Sequence, residues 1–153
     1  MQSHDPEGMK PYRRLLKALA ISYAVMFAVM FSRVDSLAHV YPSLNQVYMT
    51  GLMVAPMSII MLAVMRPMYP NRPLNTLLLL GGAGLTVLFL LLVRTQAGVG
   101  NRQFLQSMIS HHSAAIYVCR EASITDARVA ELCRQIIESQ EREIRQMKAL
   151  LNP

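Results

Sequence analysis

The chain has 153 residues, of which 53% are hydrophobic and only 16% are charged, and its formal net charge is +6. This apolar content is too high for an ordinary soluble domain. The basic excess lies at the flanks of apolar segments and in the tail, without the aromatic and basic interleaving of nucleic-acid-binding proteins. No nucleic-acid partner is therefore expected.

Three long segments almost lack ionisable side chains, and each contains about 20 mostly apolar residues. About 20 helical residues rise about 30 Å, which is the thickness of the hydrocarbon layer of a membrane. We therefore predict an all-α protein whose region 15–94 crosses the lipid bilayer three times. The predicted transmembrane helices lie near residues 15–33, 46–66 and 74–94.

The first segment has a rival interpretation as a cleavable signal peptide, because "YRRLLKALAISYAVMFAVMF" begins with basic residues. Its apolar run is long for a signal peptide, and no small-x-small cleavage site follows. We interpret it as an anchor, and the basic N-terminal flank then makes residues 1–14 a cytoplasmic tail. Three crossings place everything after about residue 95 outside, in the periplasm of a bacterial inner membrane.

Two features of the second and third segments concern helix packing. Pro56 removes one helical hydrogen bond and predicts a kink in the second segment. The stretch "GGAG" at 81–84 presents a small surface, which predicts close packing against a neighbouring helix.

The second segment also carries five methionines, each four residues after the last. They are Met49, Met53, Met57, Met61 and Met65. A step of four residues turns a helix by about 400°, so these sulfurs form a winding ribbon rather than one face. Methionine packs adaptably, and thioethers also bind soft metals such as Cu(I); both interpretations stay open. His39, in the first loop, is either a solvated loop residue or an entry ligand that passes metal to the ribbon.

After a linker at 95–101, the tail contains two amphipathic segments with heptad spacing of their apolar residues, which predicts helices over 102–122 and 127–151. Asp126 or Thr125 is the expected N-cap of the second helix. The resulting hairpin, residues 102–153, buries little core by itself. We expect it to complete a helical bundle by homo-oligomerisation or to pack on the membrane region.

Polar residues interrupt the apolar stripe of this hairpin. On the first helix His112 lies in the stripe, Met108 lies one turn before it, and His111 lies about 100° around the helix. When the hairpin is folded about its turn, polar residues and a methionine of the second helix face this layer. The candidate ligands are Met108, His111, His112, Gln140, Glu143 and Met147. Imidazole and thioether together suit copper, particularly Cu(I), although a single core histidine with satisfied hydrogen bonds explains the pattern as well.

Two motifs of the tail resemble the signature of the domain-of-unknown-function 305 (DUF305) family. They are "MISHHSAAI" at 108–116 and "IIESQEREIRQM" at 136–147. The methionine-rich N-terminal region is similar to the membrane-anchored branch of that family. The resemblance implies a ferritin-like helical bundle that is exported beyond the inner membrane and is associated, in some members, with copper binding and copper tolerance. Ser110 stands where the family usually has proline, so a fixed helix start or kink before the histidines is missing.

Cys119 and Cys133 lie on either side of the hairpin turn, on the facing stripes. An oxidising compartment would allow them to form a disulfide, although an offset of about one helical turn makes the predicted geometry marginal. Buried free thiols and Cu(I) ligation by thiolates are the other two interpretations.

The sequence thus predicts a non-enzymatic, membrane-anchored protein that binds copper, most simply as Cu(I), or silver, in metal homeostasis or tolerance. One alternative is a structural membrane module whose hairpin mediates oligomerisation or partner binding. A metal-dependent oxidoreductase is less favoured, because Glu143 is the only strong candidate for an inward carboxylate.

Overall fold

The protein is all-helical, as predicted. Its structure, a computed structural model, describes residues 8–151, and among these residues no strand is present. The first half of the predicted N-terminal tail, residues 1–7, therefore lies outside the described residues. The helices are α1 (Lys10–Val29), α2 (Leu44–Val64), α3 (Arg72–Thr95), α4 (Asn101–Glu121) and α5 (Ala127–Leu151), with short 3₁₀ turns at Leu37–His39 and Arg66–Met68.

The chain forms two compact units. The first contains Val47–Ala97 together with the described residues up to Phe27, and the second contains Ala28–Gln46 together with the described residues from Gly98 onward. The loop before α2 therefore belongs to the same unit as the C-terminal hairpin, which the sequence did not predict.

Two helices of the described chain, α2 and α3, are long and apolar enough to cross a membrane. The prediction of a third membrane span in α1 is wrong on these criteria. Arg13, Arg14 and Lys17 occupy its first turns, and the helix ends at Val29 rather than near residue 33. Its charge-free part is about 12 residues, or about 18 Å, which is too short for a hydrocarbon layer of about 30 Å.

In the first unit, α1 is anchored by a tyrosine near its start. Tyr12 is buried and packs its ring against Tyr69, with ring centroids 5.2 Å apart. Its hydroxyl donates to Asn75 Oδ1 at 2.7 Å and accepts from the Asn71 backbone N–H at 3.0 Å. Leu62 completes this core. The start of α1 is therefore held against the segment that connects α2 with α3.

The predicted close approach at the "GGAG" stretch is confirmed at one glycine. Gly82 is buried, and a Cβ built on it would overlap Ser58 Oγ and approach Ile59 Cγ1 to 3.0 Å, whereas a Cβ on Gly81 would meet nothing within 4 Å. α3 therefore approaches α2 closely at Gly82, and it does so again where the ring of Phe89 lies against Gly51. α2 itself continues through Pro56 from Leu44 to Val64.

In the second unit, α4 and α5 form the predicted hairpin, and their ends agree with the predicted bounds within one residue. The N-cap prediction is confirmed, because Asp126 Oδ1 accepts the backbone N–H of Arg128 at 2.8 Å. The hairpin core consists of Ile109, Ile116, Ile144 and Met147, with partly buried residues packed around it.

Candidate metal centre

A disulfide between Cys119 and Cys133 sets the register of the hairpin. The two Cα atoms are 5.4 Å apart, so residues at these positions face each other directly. The structure thereby selects the disulfide among the three interpretations of these cysteines. One heptad further along each helix, in the direction away from the turn, lie His112 and Gln140. Because a heptad is about two helical turns, these two residues also face each other.

His112 is held in one orientation by a carboxylate on the facing helix. Its side chain is 9% exposed, and its Nε2 lies 2.7 Å from Glu143 Oε2. The other carboxylate oxygen accepts the Ser139 hydroxyl at 2.8 Å. Hydrogen bonds from Ser139 and from His112 lower the pKa of Glu143, so the carboxylate is ionised at neutral pH. The ring nitrogen that faces it therefore carries the proton, and Nδ1 is left with a lone pair in the neutral ring.

The lone pair of His112 Nδ1 has no hydrogen-bond partner within residues 8–151. Gln140 Oε1 is likewise buried and has no hydrogen-bond partner in the described chain. Each unsatisfied buried acceptor costs about 1–3 kcal/mol. Two such acceptors at facing positions of the hairpin define a place where an electron-deficient group, such as a cation or a water hydrogen, would be stabilised.

Both methionines of the predicted ligand set belong to the hairpin core region, nearer the open end of the hairpin than His112 and Gln140. Met147 is buried in the hairpin core, and Met108 is partly buried against that core. Met108 lies one turn before His112, so the two side chains share a face of α4. His111 is exposed, and its ring centroid is 6.1 Å from that of His112. The structure thus places four of the six predicted ligands in or against the hairpin interior, leaves the Glu143 side chain 43% exposed, and leaves His111 at the surface.

The part of the chain that the structure describes contains no group of three or more His, Cys, Asp and Glu side chains able to hold a metal ion. Any metal site in the hairpin would therefore depend on thioether and amide donors in addition to His112. Glu143 is already engaged by His112 and Ser139, which makes it an orienting partner rather than a free ligand.

His39 lies on α4 rather than in open solvent. Its Nδ1 is 2.9 Å from Ser113 Oγ, and the fully buried Ser113 also accepts the Asp35 backbone N–H at 2.8 Å. Burial and the nearby charge of Lys148 lower the pKa of His39, which favours the neutral ring. Its Nδ1 is then free to accept the Ser113 hydroxyl hydrogen. In this tautomer the proton is on Nε2. His39 could act as an entry ligand through Nε2 only in the other tautomer, in which Nδ1–H donates to Ser113 Oγ.

Residues 35–45, here called the strap, follow a polar stripe of α4. Ser110 Oγ donates to the His39 carbonyl at 2.9 Å and accepts the Tyr41 N–H at 3.3 Å. The hydroxyl of Ser110 therefore bonds the strap on both sides of Val40. Further along α4, Gln103 Oε1 accepts the Leu44 N–H at 2.8 Å.

Asn45 donates to Ser107 at 3.2 Å, and Arg120 pairs with both Asp35 oxygens at 2.7 Å. Sequence reasoning missed this stripe, although its signal was available in the helical spacing of polar residues along α4. The stripe residues that bind the strap are Gln103, Ser107, Ser110, Ser113 and Arg120.

The methionines of α2 do not share one environment. Met61 and Met65 pack against the Tyr12 and Tyr69 core, whereas the side chain of Met53 is 48% exposed. This spread agrees with the winding ribbon expected from their spacing. Two of the five methionines therefore have a packing role in the first unit.

Comparisons with known proteins find one family model that covers the hairpin. The model described as Domain of unknown function (DUF305) matches residues 92–151, which include both predicted motifs. The chain is also similar to an uncharacterized protein of Acanthamoeba polyphaga mimivirus, with 29% identity over 140 residues and 90% of each chain covered. No solved structure matches the chain.

Proposed function

We propose that this protein is a non-enzymatic, membrane-anchored protein that binds copper, as Cu(I), or silver in metal homeostasis or tolerance. The observation that carries the proposal is the state of His112, whose Nε2 is held by Glu143 while its buried Nδ1 has no partner in the described chain. Metal-binding histidines are commonly oriented in this way, with the second ring nitrogen donating to a carboxylate.

The donors around His112 favour a soft ion. His112 Nδ1 and the thioethers of Met108 and Met147 would form the principal ligand set, with Gln140 Oε1 beside them. Imidazole and thioether bind Cu(I) and silver in preference to magnesium or calcium. The ion would neutralise the lone pairs that are otherwise unsatisfied, and the hairpin core would keep water away from it.

The proposed location is a membrane whose hairpin side is oxidising, such as the periplasmic side of a bacterial inner membrane. Support comes from the two apolar helices α2 and α3 and from the Cys119–Cys133 disulfide, since disulfides persist in oxidising compartments. If α2 and α3 cross, the segment that connects them lies on the side opposite to the hairpin, and the packing of Tyr12 against Tyr69 puts the described start of α1 on that opposite side.

A second candidate function is a structural module that oligomerises through the hairpin. It is favoured by apolar residues on the outer surface of α5, where Val129 is 45% and Leu132 is 54% exposed. Under this alternative the pair formed by His112 and Glu143 only sets the register of the bundle.

Titration with Cu(I) against a competing chelator tests the proposal on the full-length protein in detergent or nanodiscs. We expect the His112→Ala variant to lose high-affinity binding and Glu143→Gln to weaken it by about 10- to 100-fold. His111→Ala is the matched control, because His111 is adjacent but exposed. If wild-type protein binds no Cu(I) or Ag(I), or if both histidine variants bind as tightly as wild type, the metal function is wrong. A change restricted to oligomer size would then favour the structural module.

A further inference from the structure

The open end of the hairpin exposes an apolar surface. Phe104 is 53% exposed and Leu150 is 68% exposed, although both belong to helices whose opposite faces form the core. With Asn101 and Leu105 they line a shallow pocket of about 300 Å³. These four residues are here called the basal patch. Adjacent exposed apolar groups of this kind are typical of surfaces that meet a partner or a lipid phase.

The charges around the basal patch are all basic. α4 has no acidic residue before Glu121, and α5 has none after Glu143. The charged residues nearest the patch in sequence are Arg102 and Lys148, and neither forms an ion pair with any residue in the range 8–151. The acidic side chains of the hairpin lie toward the turn, so its open end is apolar with a basic rim.

Both apolar helices join the hairpin at this same end. α2 begins at Leu44, whose N–H is bonded to Gln103 beside Phe104. α3 ends at Thr95, and α4 begins at Asn101 after a connector of five residues. Five residues reach at most about 18 Å. If α2 and α3 cross a membrane, the chain therefore keeps the open end of the hairpin near the membrane surface.

We propose that the basal patch docks on the bilayer surface, with Phe104 and Leu150 in the interfacial region and Arg102 and Lys148 against anionic lipid headgroups. Apolar side chains with basic neighbours are the composition that binds such surfaces. A second copy of the same patch fits less well, because a symmetric contact would bring the basic residues of both copies together. This inference rests on the membrane anchoring in the proposed function, but not on metal binding.

The absence of tryptophan from the sequence allows a direct test. Phe104→Trp introduces a single reporter into the basal patch, and Leu132→Trp is a matched control, because Leu132 is 54% exposed near the turn of the hairpin. Each full-length variant is reconstituted in phosphatidylcholine and phosphatidylglycerol vesicles that contain lipid brominated on its acyl chains. We expect at least twofold quenching and a blue shift for Phe104→Trp, with little quenching for Leu132→Trp.

A second measurement separates lipid docking from self-association of the hairpin. Adding Arg102→Gln and Lys148→Gln to Phe104→Trp is expected to lower the ratio of docked to free hairpin roughly fivefold for each charge lost. Equal, weak quenching of both reporters would overturn the docking. A blue shift that depends on the ratio of protein to lipid, without quenching, would overturn it in favour of a second copy.

Extraction with alkaline carbonate distinguishes failure of the proposed membrane anchoring from failure of the docking of the basal patch. Release of the wild-type protein from the vesicles would reject the membrane anchoring and the docking together. Retention of the protein with an unquenched Phe104→Trp reporter would reject the docking alone.

Discussion

Replacing both Cys119 and Cys133 with serine is expected to loosen the hairpin by a calculable amount. The disulfide joins residues separated by 14 positions and so closes a loop of about 15 residues. In the chain-entropy account, such a cross-link contributes about 3 kcal/mol by restricting the open state. The double variant should therefore open its hairpin on the order of 100 times more often than wild type.

Native-state hydrogen exchange of the full-length protein in detergent measures this opening. Amides of α5 in the double variant should exchange on the order of 100-fold faster, and reduced wild type should behave in the same way. Amides of α3 act as an internal control, because that helix belongs to the other compact unit. Exchange of α5 that differs less than about threefold between variant and wild type would refute the reasoning, because the disulfide would then not limit the opening.

Three further predictions follow from packing, charge and chain direction. Gly82→Leu should destabilise the first unit by about 1–3 kcal/mol through overlap with Ser58, whereas Gly81→Leu should be near neutral in thermal unfolding. Folding lowers the pKa of His39, so the stability that the neutral ring contributes is complete above its unfolded pKa of about 6.5 and is lost as the pH falls through the lower folded pKa. Unfolding measured over a range of pH should show this loss of stability. The His39→Gln variant should not show it. Reporter fusions at the two chain ends should indicate opposite sides of the membrane, because Tyr12 at the start of α1 packs against the segment that connects α2 with α3; reporters on the same side would contradict this packing.

The elements that the sequence predicted well depend on local rules. Apolar periodicity and the Asp126 cap place both hairpin helices within one residue of their observed ends. Length and hydropathy identify α2 and α3. The same rule fails for α1, because a continuous apolar run does not show where the helix ends. In the structure it ends at Val29, too soon after Lys17 for a full crossing.

The positions of the candidate metal ligands could be predicted only in part from the sequence. Heptad spacing places Met108, His112, Gln140 and Met147 toward the hairpin interior, because side chains seven residues apart share a face. The stripe contains His112 and leaves His111 about 100° around the helix, although both were candidate ligands. Burial against α5 selects His112 and leaves His111 exposed.

Three features were decided by tertiary structure alone. The choice among disulfide, free thiols and metal thiolates depends on a distance across the hairpin, and 5.4 Å between Cα atoms selects the disulfide. The strap is attached to α4 by hydrogen bonds such as that between His39 and Ser113, which join residues 74 positions apart in the chain. Spacing rules act over a few turns of one helix, so they specify which face a residue occupies but not which distant segment covers that face. His112 Nδ1 and Gln140 Oε1 have no hydrogen-bond partner in the described part of the chain for the same reason, because burial by distant segments, rather than local sequence, removes them from water.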